Sequence, residues 1–194
     1  AHVEAGLRTN DLYQPFPEEV NRRLISQIAS LHFAPTKLAK QNLINASVTK
    51  NVYCTGNTVI DSVLEISKKS NNLFLKDLDF NKDDIILSTI HRRENWGENL
   101  KNICSGLLKL LKAHENIKLI IPLHPNKIVR EPIKKILEHQ ERVFLIEPLS
   151  YIDLVFVLRS SLIVITDSGG IQEEAPTFNK PVLITRNKTE REEG

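Results

Sequence analysis

The sequence predicts an α/β protein built on parallel sheets. Short β-rich apolar runs alternate with helical patterns along almost the whole chain, which is the signature of successive β-α-β units. Ionisable or phosphate-compatible residues follow one strand-like run after another: Glu4, His91 with Arg92 and Arg93, His124, Glu147, the stretch from Asp167 to Gly170, and Arg186. In an open parallel sheet the carboxyl ends of the strands share one edge, so these residues collect where such sheets bind ligands.

Taken in order, strands are expected near 1–5, 31–35, 51–55, 84–90, 117–123, 143–147, 162–167 and 181–185. The clearest helix is 98–112, where Leu100, Ile103, Cys104, Leu107, Leu108 and Leu111 recur at the spacing of one helical face. Others are expected near 18–29, 37–45, 58–67, 131–139 and 150–158. Thr58 with Asp61 and Ser150 with Asp153 read as capping boxes, in which a hydroxyl accepts from a free first-turn amide. The run from Lys68 to Asp84 is rich in Lys, Asn and Asp and has no sustained period. It marks a domain boundary.

The 194 residues carry 26 basic and 24 acidic side chains, a formal charge of +2, and these are interspersed. That balance predicts neither a nucleic-acid nor a membrane surface. No apolar run approaches the roughly 18 residues of a membrane span, and no charged-then-apolar leader is present, so a cytoplasmic location is expected. The two cysteines, Cys54 and Cys104, fall in apolar patterns and are expected as reduced core residues. Residues 1–6 read as a strand already under way, and the chain contains no methionine. It is therefore read as a fragment.

The strongest local signal runs from Thr166 to Ala175, a strand leading into Asp-Ser-Gly-Gly and then a helix. Glycines allow close backbone approach, and free first-turn amides favour an anion. A plain strand-to-helix turn with Ser168 as its cap is the alternative. Glu174, about one turn past Gly170, could accept from sugar hydroxyls or simply face solvent. His91, at the end of a predicted strand, could meet a diphosphate through charge-assisted hydrogen bonds or sit in a solvated loop. His124 has the same two readings. Glu4 lies among apolar neighbours, where burial would suit it to proton transfer, or it pairs with Arg8. Glu18 and Glu19 open a helix, where acidic residues are common.

Seven strings occur in order: HVEAGLRT from His2, PFPEEVNRRL from Pro15, GNTVID from Gly56, HRREN from His91, TDSGGIQEEAP from Thr166, KPVL from Lys180 and TER from Thr189. Together they resemble the non-hydrolysing bacterial UDP-N-acetylglucosamine 2-epimerases over essentially the whole chain. The resemblance implies two Rossmann-like domains with parallel sheets facing a cleft, a glycosyltransferase-B-like architecture, here incomplete at the amino terminus. Residues 1–70 would be the later part of the first domain and 71–194 most of a second, UDP-binding domain. The implied reaction interconverts UDP-N-acetylglucosamine and UDP-N-acetylmannosamine by eliminating and re-adding UDP through 2-acetamidoglucal, with no metal or nicotinamide.

By the same resemblance, Glu4 and Glu18 are catalytic carboxylates, and a third would precede residue 1. His91, Ser168, Gly169, Gly170 and Arg191 fall on the phosphate side, and Glu174 on the ribose. Leu149 contacts the base, and Leu154 stands where the family carries an aromatic. Ile90 replaces a family glycine, and Glu192 replaces a proline. A homodimer serving cell-surface polysaccharide synthesis is implied, while the chain by itself is expected to be inactive. The competing readings are a hydrolysing epimerase, a glycosyltransferase of the same architecture, and a sugar-nucleotide sensor. The pair Glu4 and Glu18 argues against a transferase, which needs no acid-base groups for both faces of carbon 2.

Overall fold

The computed structural model describes residues 1–70, 73 and 75–191. All eight expected strands are present, in two parallel sheets. The chain divides into two compact units. The first comprises Ala1–Ser62 together with the chain from Asn187 onward, described to Arg191, and the second comprises Val63–Arg186. The expected boundary near 70 lies close to the first division, with Asn71, Asn72 and Phe74 outside the described residues. The second division, before Asn187, has no counterpart in the sequence pattern.

In the first unit, β1 (His2–Val3), β2 (His32–Ala34) and β3 (Val52–Cys54) pair in parallel in that order. Helices α1 (Glu18–Ile28) and α2 (Lys37–Asn45) connect them. The core is small, formed by Ala5, Leu7, Ala34, Ala39 and Leu43. Gly6 is needed where it stands: its φ is +89°, and a Cβ there would lie 1.9 Å from the Ala39 carbonyl oxygen. Cys54 departs from expectation. It is exposed on the outer strand β3, because a three-residue strand at the end of the order has one covered flank, whereas Cys104 is fully buried.

Helix α3 (Thr58–Ile66) leads into the second unit. Its entrance is held by Asn57, whose Oδ1 accepts from the Val59 amide at 3.1 Å, one residue before the expected Thr58 cap. The second unit then runs β4 (Asp84–Thr89), α4 (Glu98–Ala113), β5 (Ile117–Pro122), α5 (Lys127–Leu137), β6 (Val143–Ile146), α6 (Tyr151–Ser160), β7 (Ile163–Thr166), α7 (Gly169–Glu174) and β8 (Val182–Ile184). The sheet order is β6-β5-β4-β7-β8, all parallel. Successive strand residues point to opposite faces, so each strand feeds two cores. Ile86, Leu119 and Ile121 meet Leu100, Cys104, Leu107 and Leu111 of α4 and Val129, Ile133 and Leu137 of α5. On the other face Ile85, Leu87 and Ile120 meet Val157 and Leu158 of α6 and Ile171 of α7.

The stripe expected on α4 is the one that faces the sheet. Helix α5 begins four residues before its expected start at 131. Asn126 caps it, accepting from the Ile128 amide at 3.0 Å, and Pro132 lies inside it. Burial of Val129, Ile133 and Leu137 offsets the one hydrogen bond that Pro132 cannot make. The Ser150 box is present, with the hydroxyl accepting from the Asp153 amide at 3.2 Å and donating to its carboxylate at 2.6 Å.

Candidate functional site

In the second unit the chain leaves β4 toward β5 on one side and returns later as β7 on the other. A doubly wound sheet opens its ligand crevice at such a reversal, beyond the carboxyl ends of the two strands. Register places Thr89 beside Thr166, and their hydroxyls share a hydrogen bond of 2.5 Å. The residues that follow are therefore neighbours, His91 and Arg92 after β4 and Asp167 and Ser168 after β7.

Asp167 is fully buried. Its carboxylate accepts from the His91 amide at 3.0 and 3.1 Å, the Arg92 amide at 2.9 Å and Asn95 Nδ2 at 2.9 Å, and it lies 3.0 Å from His91 Nδ1. Asn95 Nδ2 also donates to the Thr185 carbonyl at 2.9 Å, which brings the end of β8 into the cluster. Burial opposes ionisation of Asp167, but the His91 ring and the surrounding donors outweigh it and hold the carboxyl below its ordinary value. The His124 ring stacks on His91, with centroids 6.0 Å apart and 16° between planes.

Beside this pair lies an open cavity of about 170 Å³, lined by His91 and His124 and walled by Ile90, Leu123, Leu149 and Leu154. His91, far from Leu149 and Leu154 on the chain, thus shares one pocket with them. Ile90, the departure from the family glycine, supplies part of its apolar wall.

Ser168 takes the cap position of α7 with no capping bond from its hydroxyl, contrary to the simple cap expectation. Its amide donates to Thr166 Oγ1 at 2.9 Å. A Cβ at Gly170 would meet Glu174 Oε1 at 3.6 Å and Ser168 Oγ at 4.0 Å, ordinary contact distances. Glu174 is buried rather than solvated. Burial, reinforced by Glu173, raises its pKa, while a hydrogen bond from the Tyr151 hydroxyl works the other way. Its Oε2 has no partner among the described residues. Glu147 and Arg186, which stand out in the sequence by position alone, are engaged elsewhere, Glu147 with Arg130 and Arg186 with Glu94.

The first unit gathers a different set. Glu4 follows β1 with φ of +54° and keeps 41% of its side chain exposed, so it is half-buried rather than enclosed. It does not pair with Arg8, which donates to the Leu7 carbonyl at 2.8 Å and to Ser26 Oγ at 3.0 Å. Its partner is Arg191, at 3.5 Å. Arg191 thus stands in the first unit, bonded also to Glu190, and not among the residues of the second unit with which the sequence groups it. Arg22 reaches Glu190 at 3.0 Å and Lys188 reaches Asp11 at 2.8 Å, so the segment from Asn187 is tied down by charge.

Of the two acids opening α1, Glu18 is exposed and Glu19 has no exposed surface. Glu19 accepts from the Thr9 amide at 3.2 Å and from Arg23 Nε at 3.0 Å. Sequence reasoning names Asp167 without giving it a role, and it assigns none to Asn95, Tyr151 or Glu19. Only strand order puts Asp167 beside His91, and nothing in the adjacent pair Glu18-Glu19 says which one turns inward.

A sequence profile described as UDP-N-acetylglucosamine 2-epimerase matches residues 1–194. The chain belongs to this family. It is 44% identical over 201 residues to the UDP-N-acetylglucosamine 2-epimerase of Escherichia coli K12, covering 99% of this chain and 54% of that protein. Among solved structures, the Neisseria meningitidis 2-epimerase bound to UDP-N-acetylglucosamine superposes with a TM-score of 0.90 at 44% identity, over 99% of this chain and 54% of that one. The Methanocaldococcus jannaschii enzyme in complex with UDP-N-acetylglucosamine and UDP gives 0.82 at 33% identity, over 100% and 55%. The fold is the glycosyltransferase-B-like one expected. The chain spans about half the length of the curated relatives it matches. Among the described residues no helix is long and apolar enough to cross a membrane.

Proposed function

We propose that the complete protein interconverts UDP-N-acetylglucosamine and UDP-N-acetylmannosamine, and that the second unit binds the nucleotide. The observation that carries this reading is the cavity at the ends of β4, β5 and β6, where His91 meets the apolar walls Leu149 and Leu154. An apolar slot with a few polar groups at its edge suits a planar base joined to a charged tail. Two family structures carrying UDP-N-acetylglucosamine support the same ligand here.

In this reading Leu154 packs on uracil by apolar contact and Leu149 offers backbone groups to the base. Glu174 accepts from the ribose, through a carboxylate whose Oε2 is unpartnered among the described residues. Ser168, Gly169, Gly170 and His91 hold the diphosphate. The C1–O bond to UDP breaks as the carbon 2 proton leaves, giving 2-acetamidoglucal and UDP. Protonation of the other face and return of UDP complete the inversion. The proton on carbon 2 is weakly acidic, so stabilising the departing diphosphate lowers the barrier more than proton abstraction does. Glu4 and Glu18 carry the proton, since inversion requires transfer on both faces.

The test is the complete protein in deuterium oxide with UDP-N-acetylglucosamine, followed by proton NMR. The expected result is UDP-N-acetylmannosamine, deuterium at carbon 2 of both epimers, and traces of UDP with 2-acetamidoglucal. Free N-acetylmannosamine with stoichiometric UDP would identify a hydrolysing enzyme instead. Absence of deuterium at carbon 2 would overturn the elimination.

A further inference from the structure

Asp167 is the most heavily bonded carboxylate among the described residues of the second unit, and the functional reading gives it no task. It has no exposed surface, so it does not touch a ligand in the cavity. Its contacts converge on one neighbour. Two backbone amides, His91 and Arg92, and the side chain of Asn95 fix the carboxylate against the turn after β4. The remaining direction is filled by the His91 ring, with Nδ1 3.0 Å from Oδ1. An ionised carboxylate can only accept, so Nδ1 must carry the hydrogen.

That leaves Nε2 as the free nitrogen of the ring that lines the cavity. The His124 ring lies nearly parallel to the His91 ring, with centroids 6.0 Å apart. A turn held only for shape would need the two amide contacts and Asn95, but it would not need an ionised group aimed at the ring edge.

We propose that Asp167 is a positioning residue for His91: it fixes the Nδ1–H form and directs Nε2 to the leaving diphosphate. This rests on the functional reading above and adds to it a residue that acts without meeting the substrate. When Nε2 is protonated, the adjacent carboxylate stabilises the imidazolium, and the ring donates a charge-assisted hydrogen bond to an oxygen of the departing UDP. The same pairing holds the ring in orientation while UDP leaves and returns. Asp167 forms no bond to substrate and moves no proton to it.

The tautomer can be read directly. Long-range proton-nitrogen NMR on the complete protein, with His91→Asn used to assign the ring signals, is expected to show neutral His91 with hydrogen on Nδ1. Asp167→Asn should shift the population toward Nε2–H. In the same variant kcat should fall by about a hundredfold or more while KM for UDP-N-acetylglucosamine changes less than about threefold, the pattern of a lost orientation. In the His91→Asn background the same change should cost little further, because two residues acting as a unit are not additive.

Equal losses in both backgrounds would make Asp167 structural only and would overturn the proposal. If Asp167→Asn does not fold, the wild-type spectrum still decides, since neutral His91 with hydrogen on Nε2 contradicts the assignment. A protein that shows the Nδ1–H form yet does not epimerise would sink the functional reading and leave the Asp167–His91 coupling standing. One that epimerises with Nε2–H would do the reverse.

Discussion

The two units hold their functional candidates by different means. In the second, a five-stranded sheet covered on both faces by helices sets the ends of β4 and β7 side by side. His91 and Asp167 meet because two deep apolar cores fix the backbone beneath them. In the first, the sheet has three short strands and a five-residue buried cluster. There Glu4, Arg8, Glu19, Arg22, Glu190 and Arg191 are located largely by one another. Rigid apolar packing suits a nucleotide pocket that must be preformed. Charge networks suit groups that exchange protons and partners, and such networks are easier to disturb one residue at a time.

The largest effect should come from the first unit's buried acid. Glu19→Gln removes the buried carboxylate that pairs with Arg23 at 3.0 Å and whose charge favours the ionised form of Arg8, itself only 8% exposed. Urea denaturation of the complete protein should show a loss of about 3 kcal/mol, in line with breaking a buried pair. A loss below about 1 kcal/mol would mean that this unit rests on its apolar cluster after all.

Catalysis should divide along the same line. Glu4→Gln and Glu18→Gln should each lower kcat by about a hundredfold or more, about 2.7 kcal/mol of barrier, with UDP affinity by calorimetry nearly unchanged. His91→Asn should weaken both turnover and UDP binding. A Glu variant that loses UDP affinity as severely as His91→Asn would erase the division of labour between proton transfer and nucleotide binding.

A smaller change tests the second unit. Ser150→Ala removes the hydroxyl that accepts from the Asp153 amide at the start of α6. Thermal unfolding should register about 1 kcal/mol of destabilisation, the usual worth of a cap. UDP affinity should fall modestly too, since α6 carries Leu154 and Tyr151.

The smallest effect is a difference in acid. His2 is 8% exposed, and burial, then His32, Arg8 and Arg22, lower its pKa from 6.5. Between that lowered value and 6.5 the unfolded chain binds more protons than the folded one, so the contribution is whole above 6.5 and declines as pH falls through the window. Glu174 has the opposite sign. Its folded pKa is raised above 4.5, so stability is gained as pH falls through that raised value. Asp167, with a pKa below 3.8, starts to lose its contribution only under about that pH. Hydrogen exchange at about pH 7 and about pH 5 should therefore show protection falling in β1 and β2 more than in β4 and β7. His2→Gln should narrow the gap.

The sequence by itself determined the element order, the parallel class and the family. Each of these is written in local periodicity, in turn residues and in motif strings, which need no neighbour to be read. Eight strand positions and the buried stripe of α4 follow from alternation and from the 3.6-residue repeat alone. The placing of His91, His124 and Asp167 at one sheet edge followed from the rule that strand ends share an edge, whereas Leu149 and Leu154 came only through the family resemblance. What only the tertiary structure decided is which residues meet across elements. Strand order placed Asp167 under His91, 76 positions apart in sequence. The return of the chain after Arg186 took Arg191 to Glu4, where Arg8 is the nearer candidate on the chain. The rotation of α1 buried Glu19 and left Glu18 exposed. A charged side chain's partner depends on where distant backbone segments are brought by apolar packing, and the pattern of its own neighbours carries no record of that.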